Sequence, residues 1–249
     1  PGRWSHHWST ACNPLAYPMD RWPHLCSMRV AVFGAGAAGY FAAISAARHH
    51  PQAQVILFEK SDKVLAKVRI SGGGRCNVTH DQPDARKLSK HYPRGERFLR
   101  KAFTQFAVAD TIAWFAAEGV RLKAEADGRM FPDTDDSGTI IQALQEAARR
   151  AGVEVRLHTG IRGLGNEGGG FIAQVGGSSV EADSVIVTTG GHPQAASYTW
   201  LKELGHTIVP PVPSLFTFNI PNDPVRELMG VALPARIRIA GTELESTGP

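Results

Sequence analysis

The sequence predicts an α/β fold built on a parallel sheet. Three observations predict it. A short apolar run, "RVAVF", leads into the glycines of "GAGAAG". An Ala-rich stretch with helical character follows. A second apolar run, "AQVILF", then ends in an acid, Glu59. Strand, glycine turn, helix and strand together occupy about thirty residues, the length of one crossover unit, and such a unit joins parallel strands.

The glycine run is G-x-G-x-x-G, with Gly34, Gly36 and Gly39 at its fixed positions and Ala35, Ala37 and Ala38 between them. The first glycine permits the tight turn, the second lets backbone approach a pyrophosphate, and the third lets the helix pack on the strand. Free N–H groups and the helix dipole then favour an anion. Glu59 lies twenty residues beyond Gly39, where a carboxylate can accept from ribose hydroxyls; Lys60 follows it. The acid suits a free 2′-hydroxyl, so it fits FAD or NAD and disfavours NADP. The absence of G-K-[ST] excludes a nucleoside triphosphatase loop. The bland reading, small residues packed for their own sake, leaves Glu59 unexplained.

Downstream, "KVRISGGGRCN" places Lys67, Ser71, Gly72, Gly73, Gly74, Arg75, Cys76 and Asn77 in one segment. Three consecutive glycines are costly to order and bury no side chain, so bare backbone here implies close approach to a flat or phosphorylated ligand. Arg75 can neutralise phosphate or an anionic reduced flavin, Asn77 can donate to a ring carbonyl, and Lys67 adds a point charge. Cys76 beside Arg75 has the setting for a lowered pKa, although a packed cysteine is the plainer reading.

The remaining elements follow in order. Residues 81–95 read as a polar loop. Helical spacing runs over 96–106 and 109–117 and stops at Gly119. "VRLKAE" is a strand, "DGRMFPDTDDSG" a turn-rich loop, and Ser137 is placed to cap the helix "GTIIQALQEAARRA", which Gly152 ends. "VEVRLH" is a strand, "GFIAQV" and "SSVEA" form a hairpin pair, and "DSVIVTTGG" is a buried strand ending in a glycine turn. A short helix, "ASYTWLKELG", precedes the Pro-rich, β-like region from 209, and "ALPARIRIAG" is a further strand.

These motifs together resemble the YhiN/BaiN-type flavoproteins, labelled NAD(P)/FAD-dependent oxidoreductases, with some relatives labelled aminoacetone oxidases. The resemblance rests on "GAGAAGYFAAI", "FEK", "KVLAKVRISGGGRCNVTH", "GRMFP", "VIVTTGGHP" and "LGHTIVPPVPSL", and runs from Met28 to the end. It implies an FAD/NAD(P)-binding Rossmann-like domain of the two-dinucleotide-binding flavoprotein type over 28–208, incomplete, with the start of an inserted β-rich domain over 209–249. It implies that the turn after "VRLHTG" presents Ile161 to an adenine and that Thr189, Gly190 and Gly191 return the chain to the cofactor. It assigns no role to "GRMFP". The family chain is longer, so this one reads as a C-terminally cut piece, and residues 1–27 read as a disordered or non-native leader.

The implied function is an FAD-dependent oxidoreductase whose flavin is reduced by NAD(P)H and passes electrons to an organic substrate, either a small enone or carbonyl or a uridine in RNA. No residue stands out as general acid or base. Two alternatives remain open. "YTWLK" carries the Tyr198-x-x-x-Lys202 spacing of short-chain dehydrogenases, with Ser184 upstream, but the glycine spacing of that class is absent. A non-catalytic FAD-binding fragment is the other.

Bulk properties set mild bounds. The 249 residues suffice for a large core, and a net charge of +4 permits an anionic partner without demanding one. Three cysteines make no disulfide framework, which favours a reducing, cytoplasmic setting. His6, His7, His24, Cys12 and Cys26 match no metal-ligand spacing, so no metal is expected. The uncharged stretch 30–47 is dominated by Ala and Gly, too weakly apolar for a membrane span.

Overall fold

The computed structural model of the chain describes residues 27–92, 94–212, 219–228 and 234–248. The expected leader, apart from its last residue, lies outside the described residues, with the histidines and cysteines it contains. The chain divides after Val209 into two compact units.

The first unit is organised by a four-stranded parallel sheet. Strand β1 (Arg29–Phe33) enters helix α1 (Ala37–His49), and β2 (Gln54–Phe58) returns beside β1. A long excursion separates β2 from its other neighbour. It carries α2 (Ala66–Ile70), β3 (Thr79–His80), α3 (Ala85–Lys90), α4 (Glu96–Ala102), α5 (Val108–Ala117), β4 (Leu122–Ala124), β5 (Arg129–Pro132) and α6 (Ser137–Arg150). Strand β6 (Glu154–Arg156) then joins β2. The meander β7 (Ile161–Glu167), β8 (Gly170–Val175) and β9 (Ser178–Ala182) follows, and β10 (Ser184–Val187) pairs with β1. The order is β10-β1-β2-β6, and all pairs are parallel, so every strand presents its C-terminal end to one edge. Helix α7 (Thr199–Glu203) closes the unit.

Strand periodicity assigns the two faces of this sheet. Val30, Val32, Val55 and Leu57 pack with Tyr40, Ala43 and Ile44 of α1 and with Ile140, Leu144 and Ala147 of α6. Ala31, Phe33, Ile56 and Phe58 turn the other way, onto Ala173, Val175 and Ala182 of the meander. Helices therefore cover one face and an antiparallel sheet the other. A second small sheet, β3-β5-β4, lies under α3 and α5, where Leu88, Val108 and Met130 are buried together. The second unit holds an antiparallel hairpin, β11 (Ala235–Arg238) and β12 (Glu245–Gly248).

Several expectations change. Residues 129–132, expected inside a turn-rich loop, form β5, and β10, expected to be buried, is half-buried with Val187 exposed. The polar loop of 81–95 contains α3, nucleated by Asp84, whose carboxylate accepts from the backbone N–H of Arg86 and Lys87. Helix α6 is capped by Asp136 and not by Ser137: Asp136 accepts from Gly138 N at 2.8 Å. Ser137 is buried and donates its hydroxyl to Arg69 O, tying α6 to α2. The strand after "VRLHTG" is β7, whose glycines hide its alternation.

The Glu118 side chain, at the C-terminus of α5, is 3% exposed and binds Arg48 of α1 at 2.6 Å and Arg150 of α6. It joins three helices through one carboxylate. Glu118→Gln is expected to cost about 2 kcal/mol in urea unfolding. This is below the loss for a fully buried pair because both arginines reach solvent. Cofactor affinity should not change.

Candidate functional site

The C-terminal ends of β1, β2, β6 and β10 converge on the first glycine turn. In open α/β sheets that edge is where ligands bind. Gly34 has φ +107°, and a Cβ built there would overlap the Thr188 carbonyl. Its N–H donates to Phe58 O at 2.8 Å. A Cβ on Gly39 would overlap Gly34 O and lie 2.9 Å from Thr188 Oγ1. Thr188, at the end of β10, donates its hydroxyl to both Phe33 O and Gly34 O at 2.9 Å. Backbone of β1, α1 and β10 thus meets with no room for a methyl group.

Gly36 differs. Its backbone is extended (φ −85°, ψ −170°), and no protein atom lies within 4 Å of a Cβ built on it. It is the N-cap of α1, which has no side-chain cap and no acid in its first turn. The end of α1 therefore presents its dipole and its first N–H groups with open space beside the glycine, as an anionic phosphate requires.

Glu59 follows β2 and faces this turn. Its carboxylate accepts from Ala35 N at 2.9 Å, from Ser61 N at 3.0 Å and from Ser61 Oγ at 2.9 Å. The acid is thereby fixed beside the glycines before any ribose arrives. Ser61 was missed by the sequence reading. A hydroxyl two residues after an acid is a local hydrogen-bonding pattern that could have suggested it.

A cavity of about 360 Å³ opens here. Gly34, Glu59, Lys60, Ile161 and Thr189 line it, joined by Phe33, Phe58, Gly160, Arg162, His192 and Trp200, which the sequence did not single out. Ile161 is the first residue of β7, so the meander supplies one wall and the β10 end another. Lys67 reaches the second glycine turn: its Nζ lies 3.8 Å from a Cβ built on Gly190, whose φ is +72°. Tyr198 binds inward, its hydroxyl accepting from His192 N at 2.5 Å. It stands at the N-cap of α7, while Lys202 lies within that helix.

The triple glycine forms a tight 3-10 turn, Ser71–Gly74, at the end of α2. Gly72, Gly73 and Gly74 have φ of +57°, +68° and +88°. Gly72 also abuts Phe131 and Asn77 N, while Gly73 and Gly74 have nothing within 4 Å of a built Cβ. Two of the three glycines thus offer bare backbone to open space. Arg75 is engaged within the chain. Its guanidinium binds Glu125 at 2.5 Å and Asp135 at 3.5 Å and lies 3.9 Å over the Phe131 ring. The Glu125 hydrogen bond holds it more firmly protonated. The "RMFP" motif is β5, and Phe131 is the platform on which this turn rests. Asn77, with its amide NH₂ toward the neighbouring carbonyls, donates to Thr79 O at 2.9 Å and Met130 O at 3.3 Å. Cys76 is buried with φ +63°; burial pushes its thiol pKa up, against a lowering hydrogen bond with Ser71. The packed reading of this cysteine is the one the geometry supports.

Comparison with known proteins places this arrangement. A model of the HI0933-like protein Rossmann domain matches residues 28–245. The chain belongs to this family. Its fold is accordingly a Rossmann-type FAD-binding domain. It is 30% identical over 217 residues to a 3-dehydro-bile acid delta(4,6)-reductase of Clostridium scindens, covering 84% of this chain and 52% of the relative. It is 26% identical over 217 residues to a ribosomal RNA dihydrouridine synthase of Escherichia coli, covering 83% and 52%. The chain thus spans about half the length of these curated relatives. A solved 3-ketosteroid-delta4-(5alpha)-dehydrogenase from Rhodococcus jostii RHA1 is similar over 66% of this chain and 46% of its own, at 21% identity and a TM-score of 0.49. No helix among the described residues is long and apolar enough to cross a membrane.

Proposed function

We propose that this chain holds FAD as part of an oxidoreductase and that a reduced nicotinamide nucleotide supplies its electrons. The observation that carries the reading is the open space at Gly36 on the uncapped end of α1, with Glu59 fixed beside it. The pyrophosphate belongs at Gly34–Gly39, the adenosine ribose at Glu59, and the adenine side in the cavity bounded by Lys60, Ile161 and Thr189. Gly190 and Gly191, after β10, and Lys67, on α2, would approach the cofactor from one side. Gly73 and Gly74 give it backbone to lie against, with Ser71, Gly72, Arg75, Cys76 and Asn77 holding that turn in shape. Bound FAD would take two electrons from the nicotinamide and deliver them to an unsaturated organic substrate.

Both relatives carry names that denote reduction of a carbon–carbon double bond, in a bile acid and in a uridine. The shared chemistry is a double bond polarised by a neighbouring carbonyl, and that is the substrate class proposed here. The test is anaerobic mixing of the FAD-loaded protein with NADH or NADPH, following loss of oxidised flavin absorbance. Bleaching that is reversed by an enone or a uridine-containing RNA supports the reading. A flavin that binds tightly yet resists both nicotinamides would leave a binding module without this electron donor.

A further inference from the structure

We propose that the exposed face of α3 and α4 is a docking surface for a single-stranded nucleic acid. Arg86, Arg97, Arg100, Lys101 and Thr104 line an open cleft of about 650 Å³ between these helices. The one acid in its lining, Asp84, has its carboxylate turned to the backbone N–H groups of Arg86 and Lys87. None of the four cations forms a salt bridge with another described residue. Lys87, Lys90 and Arg94, all exposed, extend the positive field along α3 and the turn that follows it. The cleft shares no lining residue with the cavity at the glycine motif.

Two features distinguish this face from an ordinary solvated helix surface. Arg97 stands three and four residues before Arg100 and Lys101. Like charges at that spacing weaken a helix; Glu96, four residues before Arg100, is the one carboxylate of α4, and it forms no ion pair within 4.0 Å among the described residues. A run of phosphates would relieve them. The second feature is aromatic. Phe98 is 78% exposed, and Lys101 stands three residues after it on α4. Tyr92, on the connection between the two helices, is 45% exposed. A single strand offers a charge and a π-face with every nucleotide, and this surface offers a partner for each. A bilayer would meet the cations but needs a deeper apolar face. A duplex keeps its bases stacked away from Phe98.

The test is fluorescence anisotropy of the purified chain with a short labelled single-stranded RNA, in salt from about 50 to about 200 mM. Neutralising four phosphates predicts a log–log salt slope near −3, from roughly −0.7 per phosphate. Arg97→Gln/Arg100→Gln should weaken binding more than about tenfold and flatten the slope by about 1.4. Phe98→Ala should weaken it about tenfold with the slope unchanged. The melting temperature and FAD affinity of both variants should match the parent chain. Absence of binding at the lowest salt, indifference to both substitutions, or equally tight binding to duplex RNA or phosphatidylserine vesicles would overturn the proposal. RNA binding without FAD binding would leave this surface standing and remove the flavin reading instead.

Discussion

Gly36→Thr is expected to leave the fold intact and to abolish FAD binding. Gly36 has extended backbone that any residue adopts, and nothing in the protein meets a side chain there. Threonine is about as good an N-cap as glycine, so α1 loses no stability. Its hydroxyl would, however, occupy the N–H groups at the helix end, and its methyl would fill the space assigned to the pyrophosphate. Loss of FAD affinity by at least about a hundredfold, near 2.7 kcal/mol, should accompany an unchanged melting temperature. Titration and calorimetry on the same sample read both quantities. An unchanged affinity would mean that the open space at Gly36 is incidental.

Gly39→Ala should do the reverse. A methyl group at Gly39 falls on Gly34 O and close to Thr188 Oγ1, and the first of these is backbone that cannot swing aside. Overpacking of this kind costs typically 1–3 kcal/mol, and the junction of β1, α1 and β10 puts this case at about 3 kcal/mol. For a domain of this size that is a fall of roughly 6–12 °C in melting temperature. FAD should still bind whatever fraction remains folded, less tightly than the parent because the Gly34 turn must shift to admit the methyl group. The two substitutions lie three positions apart, yet they separate a ligand-facing glycine from a packing glycine.

The parts of this architecture that sequence revealed were those written locally. Strand β1, the glycines, helix α1, strand β2 and Glu59 lie within one continuous pattern, and each glycine has one physical duty. The triple glycine showed that bare backbone was needed but not its shape. Its turn depends on Phe131 and on the engagement of Arg75 with Glu125 fifty residues away. No short window contains that pairing, so the free charge expected at Arg75 is neutralised within the chain. Helix α3 was hidden because it buries only Leu88 and Ser89, too few for a period. The capping of α6 was misplaced by one residue because two good capping residues stand side by side. His192 and Trp200 reach the cavity only because β10 returns beside β1. Thr188 became legible as a clamp for the same reason.

Titration of this chain with FAD, NADH and NADPH, followed by flavin fluorescence and heat with ADP as competitor, decides whether the glycine turn is an FAD site. FAD should bind more tightly than either nicotinamide, ADP should displace it, and Gly36→Thr should remove the signal. Tighter binding of NADH, or FAD binding that ADP and Gly36→Thr leave untouched, would contradict that assignment.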